Sequence, residues 1–213
     1  AIESGNIQLA NGAAAIITQL STENIGEKIK DLLEKAPPNM QVLLIGAISD
    51  RGDKSALPTI IKLVKSDNID VRLTAIQALG KIGDSNSLLP VATIAASTTG
   101  HERNLARSTI ANIKSKNVQN TIIEKIKETS PEIQSELVRA IAARAEESAL
   151  NHLFGYAKSE FSPVRKEAIR GIGILGSAKH IGNLMDLLIN PIEDSDRADI
   201  ESAIVYNFRR IED

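Results

Sequence analysis

The chain has 213 residues and a formal net charge of −2, so it lacks the concentrated basic surface with which a dedicated nucleic-acid binder displaces counterions. It contains no cysteine, which excludes disulfide scaffolds, thiolate metal sites and cysteine nucleophiles. Hydrophobic residues make up 42% but aromatic residues only 2%, with no Trp, so any core is built from Leu, Ile, Val and Ala. Such a composition suits closely stacked helices. No run approaches the roughly 18 apolar residues of a spanning helix, so no membrane association is expected. The chain opens at Ala1 without a basic and apolar leader, which leaves room for a removed leader or upstream region.

From the N-terminus, Leu9, Ala13, Ile16, Ile17 and Leu20 form the first apolar stripe at helical spacing. Pro37-Pro38 then breaks the chain. Beyond it a 31-residue period runs through the sequence. Met40, Val71, Glu102, Ile133 and Val164 form one column at that spacing. Leu44, Ala75, Ala106, Leu137 and Ala168 form a second, and Ile48, Leu79, Ile110, Ile141 and Ile172 a third. These columns lie on the first helix of each unit.

A second helix follows. Leu57, Ile60, Ile61 and Val64 sit at i, i+3, i+4 and i+7, and Leu88, Val91, Ala92 and Ala95 repeat them. In the next unit Gln119 takes the first position ahead of Ile122, Ile123 and Ile126. Leu150, Leu153, Phe154 and Ala157 come next, then Ile181, Leu184, Met185 and Leu188. Gly52-Asp53 and Gly83-Asp84 separate the helices, the glycines being expected in the left-handed conformation and Asp53, Ser55, Asp84 or Asn86 as caps. Ser130-Pro131 and Ser162-Pro163 read as helix starts. After a longer connection from Asn190 to Asp196, a terminal helix is predicted over 196–211. No stretch alternates as a half-buried strand would.

A fixed period of this size predicts an all-α fold, an α-solenoid of about six stacked helical hairpins. The sequence is read as a single repeat domain over residues 1–213. A free solenoid end is normally polar. Leu9, Ile16 and Ile17 at one end, and Ile204 and Phe208 at the other, are not, so a segment of a larger protein is expected.

The stretches Asp70-Val71-Arg72, Ala75, Ala78-Leu79-Gly80, Ile82-Gly83-Asp84 and Leu88 resemble HEAT-like repeats in their short form of about 30 residues, as do Ser162 to Arg165, Ala168, Gly171-Ile172 and Leu175-Gly176. The resemblance covers roughly residues 8 to 211. It implies that an Arg of the first helix links adjacent repeats. Arg72, Arg103 and Arg165 occupy that column, while Gln41 and Gln134 replace the arginine elsewhere, so an incomplete ladder is expected. The stretch from Gln41 through Asp50-Arg51-Gly52-Asp53 to Pro58 also looks like HEAT segments of large bacterial proteins, often exported. That likeness implies an exported or periplasmic location, with the cytoplasm as the alternative; the residues themselves fix no compartment.

Chemistry is sparse. HEAT-like hydroxylases acting on a lysine-derived side chain use four His-Glu pairs around two irons, and only His101-Glu102 is present here. His152 and His180 belong to no metal motif, and Glu146-Glu147 and Glu193-Asp194 read as turn charges. Gly171-Ile172-Gly173 and Gly176 fit a GxGxxG string, but no strand precedes them and close helix contacts are the better reading. A DNA-repair glycosylase on such a scaffold would need a basic, aromatic groove. No cofactor, no metal and no nucleic-acid partner is expected.

By the same resemblance the second helices line a concave face. The side chains expected there are Lys62, Leu63, Lys65 and Ile94, then Glu124, His152, Tyr156, Asp186 and Leu187, with Leu63, Ile94, Tyr156 and Leu187 either apolar anchors or buried against neighbouring helices. Their mixed chemistry suits a protein or peptide better than a phosphate backbone. A non-catalytic interaction module is therefore expected, binding a protein, a peptide or another domain of its own chain. The alternatives are a HEAT-like lyase or hydroxylase subunit and a structural spacer.

Overall fold

The computed structural model describes residues 25–209, and every regular element among them is helical. The stripe from Leu9 to Leu20 and the end of the terminal helix lie outside the described residues. The chain divides into two compact units at Val118/Gln119, each taken by itself below.

The first unit contains α1 (Ile25–Lys35), α2 (Pro38–Arg51), α3 (Leu57–Leu63), α4 (Ile69–Ile82), α5 (Leu88–Ser97) and α6 (Gly100–Asn112). The second contains α7 (Val118–Ile126), which begins at the boundary, α8 (Pro131–Ala143), α9 (Leu150–Tyr156), α10 (Ser162–Leu175), α11 (Ile181–Ile189) and α12 (Arg197–Arg209). Even-numbered helices are the first helices of the repeat. They start at 38, 69, 100, 131 and 162, in step with the 31-residue period, and α12 starts four residues late at 197.

Two of the first-helix columns read from the sequence are wholly core. Leu44, Ala75, Ala106, Leu137 and Ala168 are fully buried, as are Ile48, Leu79, Ile110, Ile141 and Ile172. Each large aliphatic so enclosed contributes about 2 kcal/mol of transfer free energy. First helices pack on the first helices next to them, α2 on α4 on α6 and α8 on α10 on α12. Each hairpin thus closes its neighbour's apolar face, as an α-solenoid requires.

Small residues set the spacing of that stack. A Cβ on Gly171 would lie 2.8 Å from the Ala142 Cβ, and one on Gly173 would lie 3.2 Å from the Ala203 Cα. The glycine string of α10 is therefore a set of helix contacts, as its helical period implied.

Turns follow the expected punctuation with one correction. Gly52 is left-handed at φ 70°, and Asp53 Oδ1 accepts from the Ser55 amide at 2.9 Å. Gly83 is instead extended, at φ −61° and ψ 157°. Its missing side chain serves close approach, because a Cβ would fall 2.2 Å from the Leu79 carbonyl oxygen. The next turn is held by Asp84, which accepts from the Asn86 amide in a capping box with Ser87.

Candidate interaction surface

The ladder between repeats is the most ordered polar feature. In the first unit Arg72 Nε donates to Glu102 Oε1 at 2.8 Å, while Nη1 donates to the carbonyls of Ser66 at 2.8 Å and Asp67 at 3.1 Å. In the second unit Arg165 repeats these three contacts. Its Nε donates to Asp196 Oδ2 at 2.7 Å, and its Nη1 donates to the carbonyls of Ser159 at 3.0 Å and Glu160 at 3.1 Å. Each guanidinium ties the end of the preceding helix to an acid about one repeat further on. The Glu102 hydrogen bond raises the Arg72 pKa against a smaller opposing effect of burial. For Arg165 burial works against the charge, and the hydrogen bonds of Asp196 and Glu193 more than offset it.

The ladder is incomplete in the way the glutamines imply. Gln134 Nε2 donates to the Thr129 carbonyl at 2.9 Å, and Gln41 Nε2 donates to the Leu33 carbonyl at 3.0 Å. Both keep the backbone half of the contact. Arg103 Nε is buried without a hydrogen-bond partner. A further cluster, Arg139, Glu167 and Arg170, links α8 to α10, with Arg170 Nε donating to Glu167 at 3.0 Å.

His101 is exposed at the start of α6, where Gly100 adopts φ 60°, and its neighbour Glu102 is engaged by Arg72. His180 is a cap: its Nδ1 accepts from the Ser177 amide at 3.0 Å, and its ring meets Phe154 at 6.2 Å between centroids. Among the described residues no group of three or more His, Asp or Glu side chains is placed to hold a metal ion. No helix among them is long and apolar enough to cross a membrane.

The expected face residues fall in different settings. In the first unit Lys62 and Lys65 are exposed and Leu63 is half-buried. In the second, Glu124, His152 and Asp186 are exposed, while Tyr156 is half-buried, with burial pushing its hydroxyl pKa up. Between exposed anchor and burial against a neighbouring helix, Ile94 and Leu187 take the second course: they are only 8% and 7% exposed. Both sit at the flank of the apolar stripe, where an aliphatic side chain folds onto adjacent apolar surface and leaves water.

One groove gathers part of this set. Asp186 and Leu187 of α11 meet Phe154 of α9 and Lys158 just beyond it around a cavity of about 340 Å³, with Asn183 on the rim. Phe154 was read as core, because its column elsewhere holds Ile61, Ala92 and Ile123. A larger groove of about 500 Å³ lies between α10 and α12, floored by Gly173, Ala203 and Ile174 and edged by Arg170, Asp199 and Tyr206. Nothing in the residue pattern pointed to it beyond the small Gly173, which faces Ala203.

The helical hairpins stacked within each unit, joined by an arginine ladder, define an α-solenoid. The sequence profile of HEAT repeats matches residues 26–111 and 120–204, more than half of the chain, and the protein belongs to that family. No curated protein sequence matches it. Among solved structures it is similar to human deoxyhypusine hydroxylase, with 15% identity and a TM-score of 0.44 over 98% of this chain and 82% of that one. It is also similar to an engineered protein, at 21% identity and a TM-score of 0.39 over 92% and 97% of the two chains. A designed armadillo repeat protein aligns at 18% identity and a TM-score of 0.39, over 96% of each chain.

Proposed function

We propose that this chain is a non-catalytic binding module whose second helices receive a protein or peptide. The observation that carries the reading is the groove of α9 and α11. Phe154 and Leu187 give it an apolar floor, Lys158 and Asp186 give it one charge of each sign, and Asn183 offers an amide. That combination favours a peptide with one apolar side chain flanked by polar groups. The carboxylate of Glu102 is engaged by Arg72, which leaves it unsuited to metal ligation or proton transfer.

Selection from a random peptide display library on the immobilised protein tests the reading. Enriched peptides should share an apolar residue beside a charged one. They should be lost on the Lys158→Glu, Asp186→Lys double variant, whose altered side chains are both exposed in the wild type. Failure to enrich any family of sequences, or equal recovery by the double variant, would count against the groove.

A further inference from the structure

The groove between α10 and α12 has a counterpart three repeats earlier, between α4 and α6, and the two have opposite chemistry. On the first wall Gln77, Gly80 and Lys81 of α4 correspond to Arg170, Gly173 and Ile174 of α10. On the second, Leu105, Thr109 and Asn112 of α6 correspond to Asp199, Ala203 and Tyr206 of α12. The far end of the groove is therefore polar in the first unit, with Lys81, Thr109 and Asn112, and apolar in the second. The near end changes the other way: uncharged Gln77 and Leu105 give place to Arg170 and Asp199, with Lys166 beside them. Ile174 is 41% exposed although α12 packs next to it. Tyr206 turns into the groove, its Cδ2 lying 4.0 Å from where a Gly173 Cβ would stand.

The two walls run in register. The contacts of Arg165 with Asp196, Gly173 with Ala203 and Gly176 with Asn207 advance together, so α10 and α12 are parallel. In that register Asp199 stands across the groove, level with the turn between Lys166 and Arg170. Ile174 and Tyr206 lie about five residues further along, or about 8 Å. The carboxylate of Glu167 is engaged by Arg139 and Arg170. Lys166 and Asp199 are exposed and make no ion pair among the described residues. The groove thus offers a cation on one wall, an anion on the other and an apolar slot a turn and a half beyond.

We propose that this groove is a small-molecule site for an aromatic α-amino acid. The carboxylate lies toward Lys166 and Arg170, the ammonium toward Asp199, and the ring over Gly173 and Ala203 between Ile174 and Tyr206. A carboxylate without an amine leaves Asp199 unanswered, an amine without a carboxylate leaves Lys166 unanswered, and a residue inside a peptide carries neither charge. The cavity of about 500 Å³ falls within the range of small-molecule sites, about 300–1,000 Å³. Its charged end is open to water, so the affinity is modest. The site shares no residue with the groove of α9 and α11, and neither reading depends on the other.

The chain contains no Trp, so indole fluorescence comes from the ligand alone. Titrating the full chain into L-tryptophan, tryptamine or indole-3-propionate, with fluorescence anisotropy as the readout, varies the two charges around one ring. L-Tryptophan should bind with a Kd below about 1 mM, and each truncated probe about threefold or more weaker. Asp199→Asn should weaken L-tryptophan and tryptamine but not indole-3-propionate. Lys166→Gln should weaken L-tryptophan and indole-3-propionate but not tryptamine. Ile174→Lys, which installs the side chain found at Lys81 in the first unit, should weaken all three. Far-UV circular dichroism checks that these exposed substitutions leave the helices intact. An L-tryptophan anisotropy that does not rise with added protein overturns the proposal. So does equal binding of the three probes, or L-tryptophan binding that survives both Asp199→Asn and Ile174→Lys.

Discussion

Arg165 and Asp196 are paired at 2.7 Å with the guanidinium fully buried and the carboxylate side chain 2% exposed. The corresponding pair, Arg72 with Glu102 at 2.8 Å, is partly open to water, with side-chain exposures of 23% and 14%. The two have the same topology and differ in how much solvent is left.

That difference sets the cost of breaking them. Removing one partner of an enclosed pair strands the other charge, at about 3–5 kcal/mol. Solvent screening leaves an open pair contributing only about 1 kcal/mol. Asp196→Ala should therefore destabilise by about 3 kcal/mol, somewhat softened by Glu193, whose carboxylate stands 2.9 Å from the Arg165 Nη2. Glu102→Ala should cost about 1 kcal/mol. Urea unfolding of both variants, followed by far-UV circular dichroism, measures the gap; equal losses would contradict it.

Gln119 stands in a column otherwise filled by Leu57, Leu88, Leu150 and Ile181. It is buried, and neither its amide nitrogen nor its amide oxygen has a hydrogen-bond partner. Gln119→Leu keeps the approximate volume and removes two unsatisfied polar atoms. It should stabilise the protein by about 1–2 kcal/mol, read as a higher urea midpoint with an unchanged slope.

Ala145 follows α8 with φ 56°, an exposed residue in the left-handed region, at the position that Gly52 occupies three repeats earlier. A Cβ there costs roughly 1 kcal/mol. Ala145→Gly relieves that strain, against a small loss of chain stiffness in the unfolded state. A net gain of about 0.5 kcal/mol is expected, visible as a small rise in thermal midpoint. The same exchange at Ala149, which is right-handed at φ −71° and ψ −23°, would bring no such gain.

Gly176 ends α10 in an extended conformation, and a Cβ on it would fall 2.0 Å from the Asn207 Oδ1 of α12. Asn207 is held by its own amide, which donates to the Ile172 carbonyl at 3.2 Å and the Ala203 carbonyl at 2.8 Å. It has little room to retreat. Gly176→Ala should destabilise by about 2 kcal/mol, and Gly176→Ala with Asn207→Ala should lose less than the sum of the two single changes. Additive losses would show that the two residues do not clash.

The repeat and its core were legible because a fixed period puts the same residue types on the same helix face, so Leu44 to Ala168 and Ile48 to Ile172 fell into place together. The glutamine gaps in the ladder were legible for the same reason. Periodicity has no power over the flank of a stripe, where a small tilt decides between water and a neighbour. Ile94 and Leu187 stand there, and the sequence left both courses open to them. It also could not distinguish the two roles of glycine at a helix end: Gly52 is there for its dihedral angle and Gly83 for its missing atom.

The late start of α12 shows what the fold keeps fixed. Four residues are added before this helix, yet Arg165 meets an acid 31 residues ahead, against 30 for Arg72 and Glu102. That acid has moved out of a helix and into the short turn at Asp194–Asp196. Connections in such a chain are free to lengthen wherever the extra residues coil up ahead of the helix and still deliver the anion on time. At Arg72 and Arg165 alike, the counter-charge is delivered about one repeat ahead, whether or not the helix behind it starts on time.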